Sequence, residues 1–230
     1  EGNIRSYDTN NPWNIIAEND FIAGGFLWTG TDYIGEAGWP SHGWPAGLFD
    51  ICMVEKPRAA FHRAMWNDEP MVRIAVRDNA LDIDHGRDLW QWPNMAAIWN
   101  FPRAYEGLVI EVNTTTNCER VALFHNGNEM GVRRTADYPN HTITWCLPYR
   151  RGTLVAKGIN GTDTVAVHEI RTAGDAVRLK ATADRGKLMA DGQDLSYVQV
   201  ELLDKDGTLV HHADRRMKAS IEGEGRLVGF

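Results

Sequence analysis

Residues 21–29, FIAGGFLWT, constrain the fold more than any other segment. The run carries no charge, and only its last residue is polar. A strand of this kind is apolar on both faces, and both faces must be covered, as in parallel sheets flanked by helices. A Gly- and Pro-rich loop follows from Gly30 to Asp50, and then the segment KPRAAFHRAMW. Pro57 suits a first helical turn. Ala60, Phe61, Ala64 and Met65 fall on one helical face, and Asn67 to Pro70 stops the helix. The pattern predicts one strand, one long loop and one helix, a single β/α unit. Such a unit leaves both strand edges unpaired. Its neighbours are therefore expected in a barrel or doubly wound sheet whose remainder lies outside these residues.

From Met71 onward the period changes to two. Leu108, Ile110 and Val112 alternate with Val109, Glu111 and Asn113, and Val121 and Leu123 follow. Asn126-Gly127 is a strong hairpin signal, because both turn positions need positive φ. Thr142–Trp145, Leu154–Ile159 and Thr164–Ile170 continue the strands. About seven short strands over about 100 residues predict an immunoglobulin-like sandwich. A second alternating region starts near Gly174, with Val177, Leu179 and Ala181 and then Val198, Val200 and Leu202. Too few residues remain there for a whole sandwich of the same type. The expected class is mainly β: immunoglobulin-like sandwiches preceded by a partial (β/α)8-barrel unit. The expected division is 1–69 for the barrel unit, 70–173 for the first sandwich and 174–230 for the first part of a second. Both ends read as cut.

Charge and cysteine narrow the function. The net charge is −7. Arg133-Arg134, Arg150-Arg151 and Arg215-Arg216 are isolated pairs, so no nucleic-acid partner is expected. No apolar run reaches the length of a membrane-spanning helix, and no membrane partner is expected. Cys52, Cys118 and Cys146 fit neither a disulfide framework nor a zinc pattern. Asp204-Lys205-Asp206-Gly207 opens like a calcium loop but lacks its later half, and reads as a hairpin turn. His211-His212, if on a strand, face opposite ways. No metal and no cofactor are expected.

The motif Trp28-Thr29-Gly30, then Asp32-Tyr33, then Gly35-Glu36, resembles the last barrel strand of family 2 glycoside hydrolases of the β-galactosidase kind. Asn11-Pro12-Trp13 resembles the lead-in to that strand, and AGLFDICMVEKPRAAF the loop and helix after it. VALFHNGNEMG, Trp145 with Leu147-Pro148-Tyr149, and DGQDLSYVQVELLDKDG resemble the sandwich domains that follow. The resemblance implies a retaining mechanism with two Glu residues about 5–5.5 Å apart. It places both upstream of Trp28. Glu1, Glu18, Glu36 and Glu55 match neither position, so no catalytic residue is assigned to this chain.

The resemblance implies a β-galactoside-type carbohydrate as substrate, with Trp28, Asp32, Glu36, Trp39 and Trp44 as substrate-binding candidates. Trp28 at the carboxyl end of a barrel strand would stack on a sugar ring; its other reading is a core tryptophan. Asp32 would accept sugar hydroxyls or bind backbone amides of its own loop. Trp39 and Trp44, around His42, would wall a sugar site or plug the barrel mouth. Trp90, Trp92 and Trp99 suit core packing better than a binding platform. The expected partner is the remainder of the barrel, or a second copy of the chain. The expected setting is bacterial, periplasmic or extracellular. The alternative function is a non-catalytic carbohydrate-binding or scaffold module.

Overall fold

A computed structural model describes residues 12–36, 43–77 and 95–229. Trp39, His42, Trp90 and Trp92 lie outside the described residues. The chain divides into two compact units, Glu1–Thr172 and Ala173–Phe230. Among the described residues no helix is long and apolar enough to cross a membrane.

The first unit opens with helix α1 (Pro12–Glu18). Sequence reading missed this helix because Asn14 and Glu18 gave the segment a polar look. Phe21–Thr29, expected as a strand, forms no ladder. A strand exists through its partners, and among the described residues none pairs with it. Phe21 and Phe26 are consequently exposed, Phe26 completely. The expected long loop instead holds a two-stranded sheet of β1 (Tyr33–Ile34) and β2 (Gly43–Trp44), with Tyr33 opposite Trp44. Helix α2 (Pro57–Trp66) runs as expected, with Pro57 in its first turn and Asn67 capping its end. Ala60, Phe61 and Ala64 are buried, and Met65 is half-buried.

The sandwich follows. Strands β3 (Val72–Arg77), β4 (Met95–Ala96), β5 (Val109–Thr116) and β8 (Thr142–Pro148) form one antiparallel sheet in the order β4-β3-β5-β8. Strands β6 (Arg120–His125), β7 (Asn128–Arg134), β9 (Thr153–Asn160) and β10 (Asp163–Arg171) form the other, in the order β10-β9-β6-β7. The chain switches sheet after β5, β7 and β8, the crossing pattern of immunoglobulin-like sandwiches. Asn126 (φ 50°) and Gly127 (φ 80°) turn β6 into β7, as their sequence predicts.

The core is one cluster from both inner faces, including Val72, Ile74, Val112, Leu123, Ile143 and Leu154. Trp99 is fully buried against Phe101 and Tyr149, and its indole N–H donates to the Arg150 carbonyl at 2.9 Å. The Tyr149 hydroxyl oxygen, at the corner between β8 and β9, accepts from the Phe101 amide. Trp145 is buried, donates to Thr114 Oγ1 at 2.9 Å, and carries the Arg133 guanidinium over its ring at 4.5 Å. Cys118 is buried, Cys52 and Cys146 are exposed, and all three are free thiols.

Two histidines stay neutral in this unit. Burial pushes His168 down to about 4, with Arg73 adding to the effect, and its Nδ1 accepts the Ile74 amide of β3 at 3.1 Å. Burial also pushes His62 on α2 down to about 4, with Arg58 contributing. Among the described residues the Nδ1 of His62 is buried without a hydrogen-bond partner, and the ring packs against Phe61 and Trp66. Between α2 and β3, Asn117 grips the connecting chain. Its Oδ1 accepts the Met71 amide at 2.7 Å, and its Nδ2 donates to the Asn67 and Glu69 carbonyls at 2.8 Å each.

The second unit holds β11 (Arg178–Ala183) paired antiparallel with β12 (Val198–Leu203). Asp204-Lys205-Asp206-Gly207 is a turn, as expected. Asp204 Oδ1 accepts the amides of Asp206 and Thr208, and Oδ2 accepts that of Gly174. These amides, Gly174 first, hold the Asp204 carboxyl below its ordinary range. His211 and His212 lie in a turn rather than on a strand.

Candidate functional site

The segment after Thr29 is built by backbone approach. The Leu48 and Phe49 amides donate to the Gly30 carbonyl at 3.0 Å, and the Asp32 amide donates to the Phe49 carbonyl at 2.8 Å. Thr31 and Phe49 thus form a parallel bridge. Gly47 permits this crossing: a Cβ there would lie 2.2 Å from the Asp32 nitrogen.

Asp32 is the centre of that crossing. Its Oδ1 accepts the Gly47 amide at 2.7 Å, and Lys56 Nζ sits 2.6 Å from the carboxylate. Lys56 also donates to the Pro45 carbonyl at 3.1 Å. Burial pulls the Lys56 ammonium below its ordinary range, against the favourable bond to Asp32. Asp32 therefore ties the loop to the residue that opens α2. Neither its amide-binding reading nor the position of Lys56 leaves the carboxylate turned to solvent.

Trp28 stands on the other side. Its indole is mostly exposed, and the Trp28–Thr29 peptide is cis. The indole meets the Tyr33 ring edge-on, centroids 6.0 Å apart at 80°. Its Nε1–H donates to the Tyr33 hydroxyl at 3.4 Å. The Tyr33 hydroxyl in turn donates to Glu36 Oε2. By accepting that hydrogen bond, Glu36 raises the Tyr33 phenol above its ordinary range. Glu36 turns back onto Tyr33 through a backbone of positive φ (49°), a conformation uncommon for residues other than glycine.

The structure thus brings Trp28 and Glu36 together through Tyr33. Trp44 stands opposite Tyr33 across the β1–β2 pair and is half-buried. Asp32 is bonded to the loop through Gly47 and to Lys56, and Trp39 lies outside the described residues. Tyr33 and Lys56 are the residues that sequence reasoning passed over. The Tyr-x-Gly-Glu spacing was the available signal for Tyr33, since a turn at Gly35 returns the acid onto the phenol. Among the described residues no cluster of His, Cys, Asp or Glu could hold a metal ion.

Residues 179–230 match glycoside hydrolase family 2 C-terminal domain 5, and residues 107–166 match a domain of unknown function. The crystal structure of a glycosyl hydrolase family 2 member from Bacteroides cellulosilyticus superposes with a TM-score of 0.80 at 30% identity, over 89% of this chain and 28% of that one. The chain belongs to the C-terminal region of glycoside hydrolase family 2. Beta-galactosidase BoGH2A of Bacteroides ovatus is 31% identical over 94% of this chain and 23% of its own length. A putative beta-glucuronidase of Formosa agariphila is 29% identical over 95% of this chain and 20% of its own length. The chain therefore spans about a fifth to a quarter of the curated relatives it matches. A beta-glycosidase from Bacteroides vulgatus has a TM-score of 0.71 at 25% identity, over 86% of this chain and 22% of that one.

Proposed function

We propose that this chain supplies part of the sugar-facing wall, and the accessory sandwich domains, of a retaining glycoside hydrolase acting on β-galactosides or related β-glycosides. One observation carries the reading. Trp28 presents an exposed indole at the end of an uncovered apolar run, on the motif the family resemblance assigns to the closing barrel strand. A flat apolar ring held edge-on by Tyr33 offers a face to the C–H side of a sugar. Asp32 and Lys56 shape the loop, and Trp44 lends it bulk. The barrel remainder, in this reading, covers Phe21, Phe26 and Ile34, all exposed; left uncovered, these promote self-association.

Charge supports a neutral sugar over a uronate. Lys56 is paired with Asp32. The exposed Glu36 carboxylate, joined to the indole through Tyr33, repels a second carboxylate.

The binding-module alternative has less support. Trp99, one of the three tryptophans that could have made an aromatic platform on the sandwich, is in its core; Trp90 and Trp92 lie outside the described residues.

The test is hydrolysis of nitrophenyl β-galactoside and nitrophenyl β-glucuronide. The 230 residues alone are expected to turn over neither. Fused behind a family 2 catalytic barrel lacking its last unit, they restore hydrolysis of the galactoside in preference to the glucuronide. Robust hydrolysis by the isolated chain overturns the reading.

A further inference from the structure

We propose that Tyr33 and Glu36 are positioning residues that set the orientation of the Trp28 indole toward the sugar; the proposal rests on the sugar-wall reading above. An exposed indole on a segment without a ladder is free to turn about two side-chain torsions. Stacking needs one of those orientations. The Tyr33 ring blocks one side of the indole, and its hydroxyl holds the indole N–H. Tyr33 is itself anchored, since β1 pairs with β2 and the neighbouring Asp32 is locked to Gly47 and Lys56.

Glu36 acts one step further out. A phenol that donates to a carboxylate becomes a better acceptor, so the two bonds strengthen each other. The Glu36 carboxylate thus tightens the hold on an indole it does not touch. Successive side chains of an extended segment point opposite ways. Asp32 accordingly goes to the scaffold and Tyr33 to the indole. This division assigns the motif's acid roles differently from its sequence appearance: Asp32 builds the loop, and Glu36 tunes the wall.

The experiment uses the 230-residue chain with 15N-labelled tryptophan. The Trp28 indole peak is the one lost in Trp28→Phe. Tyr33→Phe is expected to move that peak upfield, Glu36→Ala to move it in the same direction, and Glu36→Gln, which keeps an acceptor oxygen, to move it less. The Trp99 and Trp145 indole peaks stay in place and report intact folding. Absorbance titration of the phenols gives a second readout. The late-titrating tyrosine that disappears in Tyr33→Phe shifts to lower pH in Glu36→Gln.

In the fusion behind the truncated family 2 barrel, isopropyl β-thiogalactoside then moves the Trp28 peak. Loss of one hydrogen bond in Tyr33→Phe weakens that titration by about two- to tenfold. A Trp28 peak that ignores Tyr33→Phe and Glu36→Ala overturns the proposal. A peak that follows those variants but ignores the sugar overturns the sugar-wall reading and leaves the tether standing.

Discussion

Strand β5 and the run Phe21–Trp28 both carry apolar side chains that demand cover, yet they meet opposite fates. In β5, Ile110 and Val112 are buried between two sheets, with β3 on one edge and β8 on the other. In the run, Phe21, Phe26 and Trp28 are exposed, and the backbone bonds to no strand among the described residues. β5 alternates apolar with polar residues and has partners on both edges, whereas the run is apolar throughout and has none among the described residues. An apolar sequence states a demand for cover, and only long-range pairing decides whether this chain meets it.

The comparison predicts unequal costs of substitution. Trp145→Ala removes a buried indole and its bond to Thr114, and is expected to destabilise the first unit by about 3–5 kcal/mol in urea unfolding. An equal loss from Phe26→Ser would break the comparison, because it would mean the run is packed.

Acid sharpens the same contrast from within. His62 and His168 are held near 4, whereas an unfolded chain takes up these protons near 6.5. Their folded pKa is depressed, so below about 6.5 the unfolded state binds the extra protons. The stability they contribute is complete above that pH and is lost as pH falls toward 4. Melting temperature should drop over this window. His62→Phe, which fills the same space without a proton site, should flatten the slope by on the order of 2 kcal/mol across it. An unchanged slope would show that His62 is solvated.

Gly47→Ala probes the loop crossing. A Cβ 2.2 Å from the Asp32 nitrogen must push the two segments apart, at a cost of about 1–3 kcal/mol. Hydrogen exchange should locate the loosening at 30–56 rather than in the sandwich. The smallest effect belongs to Phe26→Ser, within about 0.5 kcal/mol of the parent in unfolding. Its signature is instead a fall in self-association by sedimentation.

These contrasts also explain what was legible in the sequence. Asn126-Gly127 encodes its turn locally, because two adjacent residues carry the required φ. Pro57 and the Ala60-Phe61-Ala64 face encode α2 in the same local way. Asp206-Gly207 likewise announces its turn, although the bonds that the Asp204 carboxylate accepts from Gly174, Asp206 and Thr208 are settled only in place. Phe21–Thr29 failed as a strand because a ladder is a property of two segments. Asp32 read as a sugar ligand as readily as a loop anchor. Its distance in sequence from Gly47 and Lys56 concealed the bonds it makes to them. Tyr33 was hidden in plain view within the motif, since its role depends on a backward turn at Glu36. Buried His62 and the brace at Asn117 arise from tertiary neighbours and leave no periodic trace.

Asn117 has a mechanical implication. With one amide it clamps three backbone groups of the joint between α2 and β3, so the joint behaves as a bracket instead of a hinge. Any load on the sandwich is passed directly to the helix that Lys56 caps, and through Lys56 to Asp32, so the sandwich can govern how stiffly the Trp28-bearing segment is presented.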